Sequence, residues 1–298
     1  MLSLLAAASA PLQWSELGLT PGIDLGFFQL RYYSLAYLGG ILFAYWHVGK
    51  MIKAPGAPMA QRHVDDLFFY CTLGVIFGGR LGYALFYKPE LFSTFTEGEF
   101  VSYNLLRLWD GGMSFHGGLL GVVLAIAFVC WRGNLKLLRV ADYIAVPVPM
   151  GMMLGRLANF INGELWGREA EPGLAWAMIF PGAGDIPRHP SQLYEAVLEG
   201  AILLVILLFM FWRTRARWRP ALLVGVFTTG MGLGRFIVEY FRQPDEHLTE
   251  FALQSGLSMG QWLTIPLILL GAALIIWSLT RPPLGAGDIK LPKEPAEA

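Results

Sequence analysis

Charged residues are scarce in this chain of 298 residues. Asp, Glu, Lys and Arg together make up 15% of the sequence, against about 25% in soluble domains, whereas 55% of the residues are hydrophobic and the mean hydropathy is +0.51. A soluble domain of this length needs a charged surface. The composition therefore argues against a soluble enzyme, a nucleic-acid-binding protein and a disordered chain, and it predicts several membrane spans.

Other absences narrow the chemistry. Cys71 and Cys130 are the only cysteines, and each lies in an apolar run, so we expect neither a metal cluster nor a disulfide between them. The sequence contains no G-x-S-x-G, no H-E-x-x-H and no glycine-rich phosphate loop, so a serine hydrolase, a zinc peptidase and a nucleotide-binding enzyme are all unsupported. No Lys or Arg precedes the apolar first residues, which does not favour a cleaved signal peptide.

Apolar runs long enough to cross a bilayer, about 20 residues each, dominate the rest of the chain. We predict an all-α integral membrane protein with seven transmembrane helices, preceded by an N-terminal segment, 1–31, and followed by a tail, 281–298. Pro147 and Pro149 predict a kink in the fourth span. The predicted spans, all within a membrane domain 32–280, are about 32–49, 67–88, 113–131, 140–161, 192–212, 220–241 and 261–280.

The distribution of Lys and Arg predicts the orientation, because basic residues collect on the cytoplasmic side. With the N-terminus outside and the C-terminus inside, thirteen basic residues face the cytoplasm and six face the exterior. The cytoplasmic set is Lys50, Lys53, Arg62, Arg132, Lys136, Arg139, Arg213, Arg215, Arg217, Arg219, Arg281, Lys290 and Lys293, and the exterior set is Arg31, Lys88, Arg107, Arg168, Arg188 and Arg242.

Two further patterns concern the architecture. The stretch 162–190 is expected to form a small exterior cap between spans 4 and 5, with short strands around 174–180. Small residues recur every four positions in three spans, which favours close helix packing in lipid. They are Gly74, Gly78 and Gly82, then Gly117 and Gly121, then Gly151 and Gly155.

Charged side chains at membrane depth are costly and need a partner or a wet cavity. Arg235 and Glu239 lie four residues apart on one helix face, and spacing alone leaves open a self-satisfied ion pair or an arginine offered to an anionic ligand. Arg80 lies in the second span, where it serves either as structural support or as part of a site. Arg156 and Asn159 belong to a dense polar cluster at the end of the fourth span, which favours a site for a lipid phosphate.

His116 lies at the mouth of the third span between glycines that leave room for a ligand. An imidazole can take and return a proton near neutrality, although a lone histidine is more often a packing residue. Tyr33 begins the first span, where aromatic residues usually form an interface belt.

Five motifs follow one another along the chain: WDGGMSFHGG (109–118), GRLANFINGELWGR (155–168), RHPSQLYEA (188–196), GRFIVEYFRQPD (234–245) and SMGQW (258–262). In sequence and in order they resemble the motifs of the bacterial prolipoprotein diacylglyceryl transferase family. The resemblance covers about 33–262 and extends to the seven-span layout with an exterior N-terminus. Three features depart from the family pattern: Ala158 stands where glycine is common, Arg31 and Tyr32 precede Tyr33 where His-Trp is common, and the segment 168–190 is short.

The resemblance implies the first step of bacterial lipoprotein maturation. The diacylglyceryl group of phosphatidylglycerol passes to the lipobox cysteine thiol in the signal peptide of a preprolipoprotein, and glycerol phosphate is released. The partners implied are these two substrates and membrane lipids, with no nucleic acid, cofactor or metal. The location implied is the inner membrane, with the active site towards the exterior leaflet.

The resemblance also implies roles for individual residues. Catalysis is assigned to His116, Arg235 and Tyr33, and substrate binding to Arg156, Asn159, Asn162, Glu164, Gly167 and Glu239. As a mechanism we hypothesise that His116 takes the thiol proton, that the two arginines stabilise the departing phosphate, and that Glu164 and Glu239 hold the guanidinium groups. A polytopic lipid transporter or flippase, and a non-enzymatic lipid-binding protein, are the alternatives that the residues leave open.

Overall fold

The computed structural model describes residues 11–26, 29–98, 100–243 and 255–285. Within these ranges the fold is mostly helical, and each predicted span coincides with a helix or, for the fourth, with two. The first ten residues, the acidic loop with His247, the end of the fourth motif at 244–245 and the tail beyond 285 lie outside the described residues. The helices are α1 Tyr32–Met51, α2 Gln61–Phe86, α3 Phe115–Arg132, α4 Leu137–Ala145, α5 Val148–Ile161, α6 Ser191–Arg213, α7 Leu222–Val238 and α8 Met259–Leu279.

Four of the helices, α2, α3, α6 and α8, are long and apolar enough to cross a membrane. A fifth candidate is the pair α4 and α5, which is bent by 41° at the break between them. The predicted kink at Pro147 and Pro149 is therefore confirmed, because proline removes a backbone donor and clashes with the preceding turn. Helix α7 is a shorter apolar helix. By length and composition, four to five spans are supported.

Contacts divide the chain into two compact units, residues 1–47 with 142–283 and residues 48–141 with 284–298. In the first unit, α7 packs on α8, and α5 packs on α6. Glycines permit these approaches: a Cβ at Gly200 would lie 2.8 Å from the Cα of Met153, and one at Gly40 would lie 2.7 Å from the Cα of Gly151. The prediction that the recurring small residues allow close helix packing is thus confirmed at Gly151.

In the second unit, α2 packs against α3 through the predicted glycine rows. A Cβ at Gly82 would lie 2.7 Å from the Cα of Gly117, and one at Gly74 would lie 2.6 Å from the carbonyl oxygen of Gly121. Such contacts leave no room for a side chain, so the packing interpretation is confirmed here as well. Around Gly155 in the first unit, by contrast, no described atom lies within 4 Å of a Cβ.

Short strands complete the first unit. Leu12–Gln13 (β1) pairs in parallel with Met178–Ile179 (β4), and Gly22–Asp24 (β2) pairs antiparallel with Gln29–Arg31 (β3). The strand expected around 174–180 is therefore present at β4. Beside it, Met178, Phe180 and Ala183 form a small buried core against Trp14, Phe160 and Trp166. This core covers the carboxyl end of α5, where the polar signature begins.

Candidate functional site

The centre of the candidate site is Glu195, in the first turns of α6. Its side chain is 0% exposed and faces three arginines from other elements. Its Oε2 lies 2.6 Å from Nε of Arg156 and 3.3 Å from Nη1 of Arg235, and its Oε1 lies 3.6 Å from Nε of Arg242. Since α5 and α7 end where α6 begins, one carboxylate can reach all three guanidinium groups.

A second buried carboxylate, Glu239, completes the cluster. It lies one turn after Arg235 and accepts from Nη2 of that residue at 2.6 Å, as the four-residue spacing predicted. It also contacts Nη1 of Arg242 at 3.3 Å and accepts from the hydroxyl of Ser258 at 2.8 Å. Gly260 leaves room for it, because a Cβ there would lie 2.6 Å from Oε1 of Glu239.

The signature at the end of α5 forms a linked chain of polar groups. Nη1 of Arg156 donates to Asn159 at 3.3 Å, and the amides of Asn159 and Asn162 donate to Oε1 of Glu164 at 2.8 and 3.2 Å. Glu164 is thus connected to the guanidinium of Arg156 through Asn159, and the ion-pair partner of Arg156 is Glu195. Glu239 holds Arg235 as hypothesised.

Gly167 has a role in the backbone. It forms a bridge with Arg242, and its N–H donates to the carbonyl of His189 at 2.9 Å. A Cβ at Gly167 would lie 2.6 Å from that carbonyl oxygen, so only glycine fits. Arg168 next to it donates from Nε to the carbonyl of Arg242 at 2.7 Å. The 155–168 signature thus fixes the backbone that carries Arg242.

The arginines are more exposed than the carboxylates that hold them. Arg156, Arg235 and Arg242 have side chains 28%, 17% and 23% exposed, against 0% and 6% for Glu195 and Glu239. Three guanidinium groups against two carboxylates leave these ion-paired groups with a net charge of +1. The more exposed layer of the cluster therefore consists of cationic hydrogen-bond donors, and the buried layer consists of the carboxylates. Such an arrangement suits an anionic ligand.

Two atoms of the cluster have no hydrogen-bond partner among the described residues. They are Nε of Arg242 and Oε1 of Glu195, both buried and 3.6 Å apart, which makes theirs the loosest of the ion pairs. Glu199, one turn further along α6, is also buried, and its Oε1 has no partner in the described part of the chain. Unpaired buried polar atoms are rare and often mark functional sites.

Tyr33 lies within electrostatic range of Arg156 and Glu164, and its hydroxyl is 3.2 Å from that of Tyr37. His116 lies in the second unit, as the second residue of α3, with its side chain exposed. Its ring packs edge-on against Phe115, and the imidazole has no hydrogen bond to any residue that the structure describes. The structure thus brings the predicted binding residues and Tyr33 together in the first unit, and describes His116 separately.

A chain of aromatic hydrogen bonds lies just before α6. Trp176 donates from Nε1 to the hydroxyl of Tyr194 at 2.7 Å, and that hydroxyl lies 3.1 Å from Nδ1 of His189. Burial lowers the pKa of His189 below the usual range for histidine. These hydrogen bonds join Trp176 and His189, in the segment 162–190, to Tyr194 of α6, the helix that carries Glu195.

Sequence reasoning missed Glu195, Glu199, Arg242 and Ser258 as site residues. Glu195 and Glu199 lie in the apolar run of the fifth span, so the rule that singled out the intramembrane arginines also applies to them. Arg242 was counted only as a basic exterior residue. Among the described residues, no group of three or more His, Cys, Asp and Glu side chains is placed to hold a metal ion.

Comparison with known proteins bears on this site. The family model for prolipoprotein diacylglyceryl transferase matches residues 22–277. The chain belongs to that family. A relative from Erythrobacter litoralis is 61% identical over 293 residues, which is 98% of this chain and 99% of the relative. Relatives from Zymomonas mobilis and Paramagnetospirillum magneticum are 49% and 48% identical, over 91% and 87% of this chain and 94% and 93% of theirs.

All three relatives are named phosphatidylglycerol–prolipoprotein diacylglyceryl transferase. The family resemblance read from the five motifs is therefore confirmed, and the chain is a transferase of lipoprotein biosynthesis. The family match and the arginine cluster coincide: all the residues of the cluster lie inside the matched range.

Proposed function

We propose that this chain transfers the diacylglyceryl group of phosphatidylglycerol to the cysteine thiol in the lipobox of a preprolipoprotein. The observation that carries the proposal is the cluster of Arg156, Arg235 and Arg242 over two buried carboxylates. A phosphodiester anion is the ligand that such donors recognise, and the names of the relatives supply the two substrates.

The cluster retains donors for that ligand. Contacts with described residues engage two of the five N–H groups of Arg156, through Nε and Nη1. The side chains of Arg235 and Arg242 are 17% and 23% exposed, so they too are accessible from outside the cluster. We assign Arg156 to the headgroup phosphate, with Asn159 and Asn162 orienting it through Glu164, and we assign Gly167 to the backbone beneath.

The reaction proposed is a displacement at carbon. The cysteine sulfur attacks the glyceryl carbon that carries the phosphate ester, the carbon–oxygen bond breaks, and glycerol phosphate leaves with the bonding electrons. A thiol has a pKa of about 8.5 and is a weak nucleophile until it loses its proton, so a base is needed. We assign that role to His116, whose exposed side chain leaves the imidazole accessible.

Charge development assigns the remaining roles. Negative charge grows on the phosphate oxygen as the ester bond breaks, and donors held in place beforehand stabilise it without reorganising. Arg235 and Arg156 supply these donors, and Glu195 and Glu239 hold them. Tyr33, which interacts electrostatically with Arg156, is assigned to the same step. Removing one such donor typically costs about 10²- to 10³-fold in kcat.

We also propose a membrane topology of seven spans, with the N-terminus outside, the C-terminus in the cytoplasm and the segment 162–190 as an exterior cap. The helical segments at all seven predicted spans and the distribution of basic residues support it. The cluster lies where α5 and α7 end and α6 begins, which in this topology is the exterior leaflet of the bacterial inner membrane.

The test is a direct transfer assay. Purified protein is incubated in detergent with phosphatidylglycerol and a lipobox peptide. The mass of the peptide is then measured by mass spectrometry to detect an added diacylglyceryl group. Arg156→Ala should abolish transfer, whereas Arg215→Ala, at an exposed arginine outside the cluster, should leave it unchanged. Two results would overturn the proposal. One is that the wild-type protein modifies a peptide whose cysteine is replaced by serine, and the other is that it modifies no peptide.

A further inference from the structure

Arg80 is the intramembrane arginine that the proposed site does not use. It lies in α2 of the second unit, 4% exposed, and its guanidinium faces backbone carbonyls. Nε donates to Leu105 at 2.9 Å, and Nη2 donates to Asn104 at 2.6 Å and Arg107 at 3.0 Å. Nη1 donates to Gly111 and, at 3.3 Å, to Gly112.

These contacts decide between the two interpretations that the sequence left open. A guanidinium group has five N–H donors, and here each one meets a backbone carbonyl. No donor remains for a ligand, so Arg80 is support. What it supports is a single segment, 104–112, whose carbonyls turn inwards around one side chain.

The same turn of α2 holds the end of that segment in two further ways. The N–H of Ser114 donates to the carbonyl of Gly79 at 2.9 Å. Gly112 has a positive φ of 81° and lies so close to Tyr83 that a Cβ would be 2.5 Å from the ring. Residues 104–114 are therefore fixed to α2 between Gly79 and Tyr83.

The segment ends at the start of α3. Ser114 caps that helix, accepting from the N–H of Gly117 at 3.3 Å, and His116 follows two residues later. Only Met113, Ser114 and Phe115 lie between Gly112, whose carbonyl Arg80 holds, and His116. A shift of the segment must therefore shift the first turn of α3.

We propose that Arg80 is a positioning residue for His116. Its guanidinium sets the backbone of residues 104–112 and, through it, the direction in which the first turn of α3 presents the imidazole. The inference rests on the proposed function, because His116 needs a reaction in which its position matters. It adds a residue outside the five motifs to the machinery of that reaction.

The test compares kcat and KM in the transfer assay for Arg80→Ala and Arg80→Lys. A small misplacement of a reacting group costs about 100-fold, so we expect Arg80→Ala to lower kcat by about that factor while KM for phosphatidylglycerol stays unchanged. Guanidinium chloride, well below denaturing concentration, should restore much of the rate by filling the vacated space, and ammonium chloride should not. Lysine keeps the charge but offers three donors instead of five, so Arg80→Lys should lie between alanine and wild type.

Two controls separate positioning from general destabilisation. Arg139→Lys changes another buried arginine of the second unit, one that donates to the carbonyl of Gly56, and should lower the thermal midpoint without lowering kcat. Arg80→Ala combined with His116→Gln should be no slower than His116→Gln alone, because both changes remove the same contribution.

Each failure has a separate meaning. Two results overturn the positioning role: a kcat of the double variant that is lowered by the product of the two single losses, or a wild-type kcat in either Arg80 variant. Neither result affects the proposed function, provided that the wild-type protein carries out the transfer. Absence of transfer by the wild-type protein overturns the proposed function itself. If Arg80→Ala does not fold, the comparison of Arg80→Lys with Arg139→Lys decides: equal kcat in the two overturns the inference, and a lower kcat in Arg80→Lys alone supports it.

Discussion

Replacing Glu195 by glutamine tests the architecture of the arginine cluster most directly. The glutamine keeps the shape of the side chain and removes its charge, at a position that is 0% exposed and contacts three guanidinium groups. Breaking a buried ion pair by removing one partner costs about 3–5 kcal/mol. At roughly 2–4 °C per kcal/mol, Glu195→Gln should lower the thermal midpoint in detergent by about 10 °C.

The same substitution separates holding the arginines from binding the lipid. Arg156 and Arg235 lose their shared partner, so we expect kcat to fall by about 10²- to 10³-fold, the loss typical of a displaced transition-state donor. The net charge of the ion-paired groups rises from +1 to +2, so KM for phosphatidylglycerol should not increase. Glu16→Gln, at an exposed glutamate, is the matched control. A Glu195→Gln protein with wild-type kcat and an unchanged midpoint would refute the reasoning.

Three further predictions test other parts of the molecule. Gly260→Ala places a Cβ 2.6 Å from Oε1 of Glu239 and should lower kcat/KM at least about tenfold. Gly39→Ala is the control and should leave kcat/KM unchanged, because a Cβ at Gly39 has its nearest neighbour at an ordinary 3.5 Å. Equal activities of the two variants would contradict the role given to Glu239. His116→Gln should lower kcat by about 100-fold or more while KM for phosphatidylglycerol stays unchanged, and a mutant with the wild-type kcat would exclude His116 as the base. Burial lowers the pKa of His189, so the stabilising contribution of this residue is present above its unfolded pKa of about 6.5 and is lost as the pH falls. The thermal midpoint of the wild-type protein should therefore drop more steeply below about pH 6.5 than that of His189→Gln. Parallel curves for the two proteins would contradict this prediction.

Local features of the sequence predicted most of the helices. Length and apolarity placed all seven helical segments, and Pro147 and Pro149 placed the bend between α4 and α5. The pairing of Arg235 with Glu239 followed from their four-residue spacing, since such residues share a helix face. Each of these features depends on residues close together in the chain, which is why a single sequence contains them.

The centre of the site depends on contacts between distant residues. Glu195 meets Arg235 across 40 positions, and β1 pairs with β4 through Leu12 and Met178. Hydrophobic periodicity indicates the buried face of a helix in water, but in lipid both faces of a helix are apolar. Periodicity therefore did not predict that Glu195 faces the interior of the protein. The sequence therefore indicated Arg156, Arg235 and Glu239 as site residues, but it did not indicate Glu195, which joins the two arginines to Arg242.

Arg80 and Arg156 show that the same side chain can serve different functions in one protein. All five donors of Arg80 end on carbonyls of one segment, which makes that guanidinium a fixed part of the backbone scaffold. Arg156 is held through two donors by Glu195 and Asn159, and three of its five donors have no partner among the described residues. A guanidinium that is anchored on one edge and unpaired on the other is oriented before its ligand arrives, and orientation in advance is what lets a donor stabilise charge as it develops. In this chain the number of donors left over, more than burial or charge, separates an arginine that builds the fold from one that is offered to a phosphate.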